Sequence, residues 1–193
     1  MFFEKAMMTM KKCLGSALAL YPMPLVVIGA MVEGKPNWLL AGHVGIMGHD
    51  HLMVSLAQTH YTNRGIREHG VLCVHSVEES MLPAADQAGC VSGAKADKSS
   101  LFSYSITQEG APVIDGARLA MVCAVEDNHP TPGFDNFILK ILHTYADEAI
   151  LSPNGKIDYD LFKPVLFEMP SYTYLRTGET IARCMSLGGQ FSK

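Results

Sequence analysis

The run PLVVIGAMV at residues 24–32 is apolar and rich in β-branched side chains, and Glu33-Gly34-Lys35-Pro36 follows it at once. The run has the composition of a strand buried on both faces, and the four residues after it have turn chemistry. The chain must reverse there, so residues 37–43 return as a hairpin partner. A loop rich in Gly and His leads to a further short strand at 52–57. Thr62 can then cap a helix that runs through Arg67 and His69, and Gly70 is placed to stop it.

Strand signals continue along the chain. Residues 71–77 (VLCVHSV) read as a strand, after which Ser76 can cap a second helix towards Cys90, with Glu78 and Glu79 in its first turn. Pro83 is expected to kink or shorten that helix. Residues 91–100 are polar and read as a surface loop. Strands are expected at 117–125 and 137–146, and a shorter one at 149–151 before the Ser152-Pro153-Asn154-Gly155 turn. The segment that includes Tyr172 and Tyr174 is irregular, with room for a last strand. Six or seven short strands and two or three helices, without regular alternation, argue against a doubly wound sheet. The expected fold is mainly β with flanking helices: a small six- or seven-stranded antiparallel barrel. No repeat or linker divides the chain, so residues 1–193 are read as one domain.

Composition narrows the function classes. Of 193 residues, 48% are hydrophobic and 18% charged, an apolar balance that a buried subunit interface or a large core would explain. The net charge of -4 argues against nucleic acid, which needs a concentrated basic face. Five scattered cysteines without a CxxC pair fit reduced thiols, and twelve methionines fit an adaptable core or interface. Lys11-Lys12 before LGSALAL imitates a signal sequence, but the A-x-A pattern lies inside the apolar run. Residues 1–20 are therefore read as a mature, partly helical amphipathic segment ended by Pro22 and Pro24. A cytoplasmic protein is expected, and no apolar run reaches the roughly 18 residues of a membrane span.

Three kinds of chemistry compete for the polar residues. His49 and His51 would share one face of a strand and can meet on a metal, with His43 and His60 near in sequence, yet no third ligand stands at defined spacing. Cys73 and His75 share a face too, which is also the ordinary pattern of a buried strand. There is no G-x-S-x-G, no G-x-G-x-x-G after a strand and no Walker loop. A quieter set remains. Asn37 offers donor and acceptor groups to a heteroaromatic edge, Thr62 presents a hydroxyl beside free helix amides, Ser55 sits on a strand end, and Lys98 can add a cation to a phosphate.

The order of segments PLVVIGA, EGKPN, LLAGHVG, VSL, TNRGIREHG and VLCVHSV, with AADQAGCVSGAKADKS after them, resembles the flavin reductase-like, FMN-binding split-barrel family. The likeness is to its flavoredoxin branch in particular, and it is strongest over about residues 20–105. It implies a split barrel that holds FMN at the second strand and the loop after it. Asn37 and the backbone of Ala41, Gly42 and His43 would meet the ring, and Ser55, Thr62 and Lys98 would serve the ribityl chain and phosphate. An aromatic from the C-terminal part, Tyr174 or Tyr172 before Phe167, would contact the flavin. The chain departs from the family pattern in four places. His43 stands where an aromatic residue, commonly Trp, is usual, Asp50-His51 replaces a Pro pair, and Leu72 replaces a Phe. Asn136 occupies the place of a flavin-contacting His, with His129 upstream as the other choice.

The resemblance implies an FMN-dependent oxidoreductase that takes electrons from NADH, NADPH or a redox protein, and a homodimer with no nucleic acid or membrane partner. No general base is required, because FMN carries the redox chemistry itself. The reading from another class is a non-catalytic barrel that uses its pocket for haem or a metal.

Overall fold

A computed structural model describes residues 11–191. Its first regular elements are β1 (Met23–Pro24), β2 (Val26–Val32) and β3 (Lys35–Ala41). The β2–β3 hairpin is tighter than the sequence suggests. Glu33 and Gly34 alone form its loop, both with positive φ (51° and 77°), the conformation whose twist matches the flanking strands. Pro36 and Lys35 therefore belong to the strand.

β4 (Val44–Ile46), β5 (His51–Ala57), α1 (Thr62–His69), β6 (Val71–Ser76) and α2 (Leu82–Cys90) follow. After them come β7 (Tyr104–Ile106), β8 (Pro112–Ile114), β9 (Leu119–Asn128), β10 (Phe134–Ala146), β11 (Leu166–Glu168) and β12 (Thr173–Leu175). The main sheet has seven strands in the order β3-β2-β6-β9-β10-β5-β4, every pair antiparallel. β3 and β4 lie at opposite edges, yet only Gly42 and His43 separate them in the chain. Three Cα steps span at most about 11 Å, so the sheet must curl until its edges meet at that corner. Two register shifts between β9 and β10, at Ile138/Leu139 and Ile141/His143, supply the local bending that such curling needs.

The curled sheet encloses one core and carries another on its outer face. Val26, Ile28 and Ala30 of β2 point inward with Leu39, Val54, Leu56, Leu72 and Phe137. Leu25 and Val27 face outward onto Trp38, Ala85 and Ala88, so α2 seals that side. β2 is buried on both faces, as its composition requires. Close approach fixes two glycines: a Cβ at Gly65 would stand 1.9 Å from the Met31 carbonyl oxygen, and one at Gly29 would stand 2.4 Å from the Trp38 ring.

Several local expectations are corrected. Residues 11–20 carry no helix, and residues 1–10 lie outside the described residues. Thr62 opens α1 from inside, with Tyr61 as the flanking residue and no side-chain cap; Gly70 ends the helix in the left-handed conformation with its N–H on Ile66 O. Ser76 remains paired with Val26, and α2 begins only at Leu82. Pro83 starts that helix rather than kinking it, because its fixed φ and missing N–H suit a first turn. Residues 148–150 form a short 3-10 turn in place of a strand, with the Asp147 carboxylate accepting from the Ala149 N–H.

Candidate functional site

The chemistry-bearing residues gather in two cavities. The first, about 350 Å³, is polar and lined by Glu33, Lys35, Asn37, Tyr61 and residues 93–98. Asn37 is buried there at the split of the barrel, and its Nδ2 donates to Thr62 Oγ1 at 2.6 Å, tying β3 to the start of α1. Gly93 lies against the Asn37 amide so closely that a Cβ would come within 2.1 Å of its Oδ1. Lys98 is 4% exposed and donates to the carbonyls of Ala88 (2.9 Å) and Val91 (3.2 Å) at the C-terminus of α2. An ammonium has three donors, so one is left over after these two bonds. Burial pushes the Lys98 pKa down, and burial followed by the Lys98 charge does the same to His60. Lys98 and His60 thus share one neighbourhood. His60, two residues before Thr62, was not assigned to this group from the sequence, although its place at a helix start is the signal that marks it.

The second cavity, also about 350 Å³, is largely apolar. Gly42, His43, Val44 and Ser55 line it from the strand ends, and Leu18, Leu20, Tyr21, Met23, Met53, Thr131 and Phe134 complete it. The closure of the barrel explains this grouping. The Ser55 N–H donates to His43 O at 2.9 Å, and β5 pairs with β10 so that Ser55 faces Asn136. Asn136 does not itself line the cavity; its Nδ2 donates to His129 O at 2.6 Å and Thr131 Oγ1 at 3.1 Å, holding the loop that does. Ala41 is buried at the end of β3, beneath the corner.

The two cavities have no lining residue in common. Ser55 points outward on the face opposite Leu52, Val54 and Leu56, and the turn after Ala57 leads directly to His60 and Thr62. Asn37 lines the polar cavity and Ser55 the apolar one, so the two do not share a wall. Tyr174 lies outside both cavities. Its hydroxyl donates to Asp86, and burial and that carboxylate raise its pKa. Its ring packs on Phe167 at 6.1 Å, and Phe167 covers Gly42, where a Cβ would meet it at 2.6 Å. Among the three C-terminal aromatics, Phe167 is therefore the one in direct contact with the strand-end corner.

Sequence reasoning missed Tyr21. Its Oη stands 2.7 Å from His43 Nε2 and donates to Met169 Sδ at 3.0 Å. Its partners are 22 and 148 residues away, and no local pattern announces them.

The competing clusters resolve into structural contacts. His51 Nδ1 is 2.6 Å from Asp50 and Nε2 is 2.9 Å from Glu126, so both nitrogens serve carboxylates, which raise its pKa. Among the described residues no group of three His, Cys, Asp or Glu side chains is arranged around a common point. His75 is fully buried, with Nδ1–H donating to Val27 O and Nε2 accepting from the Ile114 N–H, both at 3.0 Å. Burial pushes its pKa down to about 4, so the ring is neutral and joins β6 to its neighbours. Burial also drives the Cys73 thiol up, away from nucleophilic use at neutral pH.

The sequence profile of the flavin reductase like domain matches residues 18–173. The chain belongs to that family. Among solved structures it is similar to the flavoredoxin of Methanosarcina acetivorans, with 31% identity over 94% of this chain and 99% of that one and a TM-score of 0.89. The flavoredoxin of Desulfovibrio vulgaris (Miyazaki F) follows, with 29% identity, 92% and 99% coverage and a TM-score of 0.85. An FMN-binding protein of Thermus thermophilus shares the fold at 20% identity, 90% and 98% coverage and a TM-score of 0.75. No curated protein matches the sequence. The split-barrel fold expected from the sequence is thus the fold observed. Family and neighbours together support a flavin-related oxidoreductase.

The residues present suit a flavin. An apolar slot edged by Ser55 and Thr131 fits a flat conjugated ring. The buried Lys98 ammonium, with one N–H left over after its two carbonyls, fits an acidic tail.

Proposed function

We propose that the chain, acting as one unit, binds FMN and passes electrons from NADH, NADPH or a redox protein to an acceptor. In this reading the ring lies along Ala41, Gly42 and His43 beside Ser55, and the ribityl phosphate extends towards Thr62 and Lys98. Asn37 supports this end by holding Thr62, and Asn136 supports the other by holding Thr131. Tyr174 acts at one remove, through Phe167 against Gly42. Bound FMN accepts a hydride and releases electrons singly or in pairs, so the protein's part is to bind, orient and exclude water. A homodimer is part of the same proposal.

One observation carries the reading. The cavity at the strand-end corner is apolar, and the other is polar and lined by the buried Lys98, one site suited to a flat ring and one to an anionic tail. The test is the visible spectrum. Protein purified or reconstituted with FMN is expected to be yellow with flavin absorption bands, and anaerobic NADH or NADPH is expected to bleach it. A colourless protein that takes up no FMN overturns the proposal, whereas bleaching only by a protein donor selects a flavoredoxin-like carrier. Lys98→Ala and Thr62→Val are each expected to weaken FMN binding at least about tenfold, the loss of one charge-assisted hydrogen bond. Titration by fluorescence quenching checks this, with thermal unfolding run beside it because Lys98 also anchors α2.

A further inference from the structure

β10 outlasts its neighbour on one side. β9 accompanies it to Ala146, but β5 leaves it at Lys140, whose partner is His51, and the Ile141 N–H donates to the Asp50 carbonyl. From Leu142 to Ala146 the strand is an open edge. The direction of its backbone groups follows from the far end, where the Asp147 N–H donates to Arg118 O at 2.8 Å, on the β9 side. Alternation along the strand then turns the N–H and C=O of Thr144 and Ala146 away from β9. Among the described residues no backbone group meets them there.

Edges of this kind are usually blunted by Lys, Pro or a bulge. The register shift at Ile141/His143 marks a bulge where the free stretch begins, but LHTYA itself holds no Pro, no Lys and no fixed charge. Leu142 and Tyr145 are 39% and 48% exposed. The stretch is nevertheless braced: Glu109 holds His143 at 2.9 Å, and the Tyr145 ring lies 6.2 Å from the imidazole.

The limits of the edge select its partner. Asp50 closes it at Ile141 and Asp147 turns back to Arg118, which leaves Thr144 at the centre. A second copy turned about a two-fold axis at Thr144 offers the same stretch in antiparallel order. The two Thr144 residues then exchange both N–H···O bonds, and Ala146 falls opposite the partner's Leu142. His143 falls opposite the partner's Tyr145, and no fixed like charges meet within the stretch. A whole chain also suits the ground beside the edge. Ile46 and Met47, 92% and 55% exposed, lie at the tip of the β4–β5 hairpin, where Met47 N–H donates to His51 O and His51 pairs with Lys140. A lone peptide strand would leave that tip bare.

We propose that Leu142–Ala146 is the strand through which two copies of the chain pair, edge to edge and antiparallel about Thr144. The sheet of one protomer then continues into that of its partner. The inference rests on the homodimer reading above and names its surface.

The test uses the full chain with Cys13, Cys90 and Cys184 changed to Ser, which removes the exposed native thiols. Thr144→Cys is expected to give a disulfide-linked dimer under mild oxidation, because a hydrogen-bonded antiparallel pair sets its Cα atoms about 5.5 Å apart, within disulfide reach. Gln108→Cys, exposed in the turn after β7, is expected to remain uncrosslinked. Thr144→Pro removes the outward N–H from both copies and spares the β9 ladder. It is expected to weaken the dimer at least about tenfold in sedimentation, the loss of two backbone hydrogen bonds. Tyr145→Lys keeps every backbone donor and sets a cation on each edge, so it tests the same contact where the proline variant does not fold. It is expected to weaken the dimer as well. A dimer that persists in the folded variants, with no crosslink in Thr144→Cys, overturns this interface and leaves the homodimer reading standing. A wild-type chain that sediments as a monomer overturns both.

Discussion

His75 shows how much a single buried side chain can reveal about pH. Its pKa falls from 6.5 to about 4 because the charged ring would lose water and gain no anion. Between those values the unfolded chain binds a proton that the folded chain excludes. Stability therefore decreases as pH is lowered from about 6.5 to about 4, by up to roughly 3 kcal/mol, and this contribution levels off below. Urea unfolding at pH 7 and at pH 4 is expected to show that drop in the wild type and a smaller one in His75→Gln. Equal drops in both would contradict it. At this scale the sequence was only half legible. Asn37, Ser55, Thr62 and Lys98 can be picked out by type and family order, but Tyr21 meets His43 only because the segment before β1 crosses the barrel corner. Likewise, nothing local says that Lys98 is buried against the end of α2.

Elements were legible wherever side-chain alternation dominates and less so where one contact decides. β5 and the first half of β10 alternate between buried and half-buried as their sequences require. The start of α2 was misplaced because Ser76 is claimed by β-pairing to Val26, leaving Pro83 to open the helix. The 149–151 segment has strand composition, but the Asp147 carboxylate bends it into a 3-10 turn. α1 is held at both faces. Gly65 lies on the Met31 carbonyl, and Arg67 and Asn63 both donate to the buried carboxylate of Asp135 on β10. Gly65→Ala must push helix and strand apart and is expected to cost about 2–3 kcal/mol in chemical unfolding, the range for an overpacked contact. Gly48→Ala meets only ordinary contacts and is expected to stay within about 0.5 kcal/mol.

For the whole molecule, the apolar composition acquires a location. Leu18 and Leu20 are 62% and 73% exposed beside the apolar cavity, and Ile46, at the end of β4, is 92% exposed. Such side chains grouped near one cavity suit coverage by a second copy. Sedimentation equilibrium is expected to give twice the 21.0 kDa chain mass, and Ile46→Glu to shift the population towards monomer. A wild-type mass of one chain at micromolar concentration would remove the dimer from the proposal. Among the described residues no helix is long and apolar enough to cross a membrane.

The corner at Gly42 and His43 sets a rule about length as well as chemistry. It is a clasp of two residues between strands at opposite margins of a seven-stranded sheet. Gly42 is held to glycine by Phe167, which leaves no room for a Cβ, whereas the closure of the ring itself is made by backbone. The number of residues in the clasp is not free: one more would slacken the fastening, one fewer would tear β4 from β5, and either would spoil the wall of the apolar cavity.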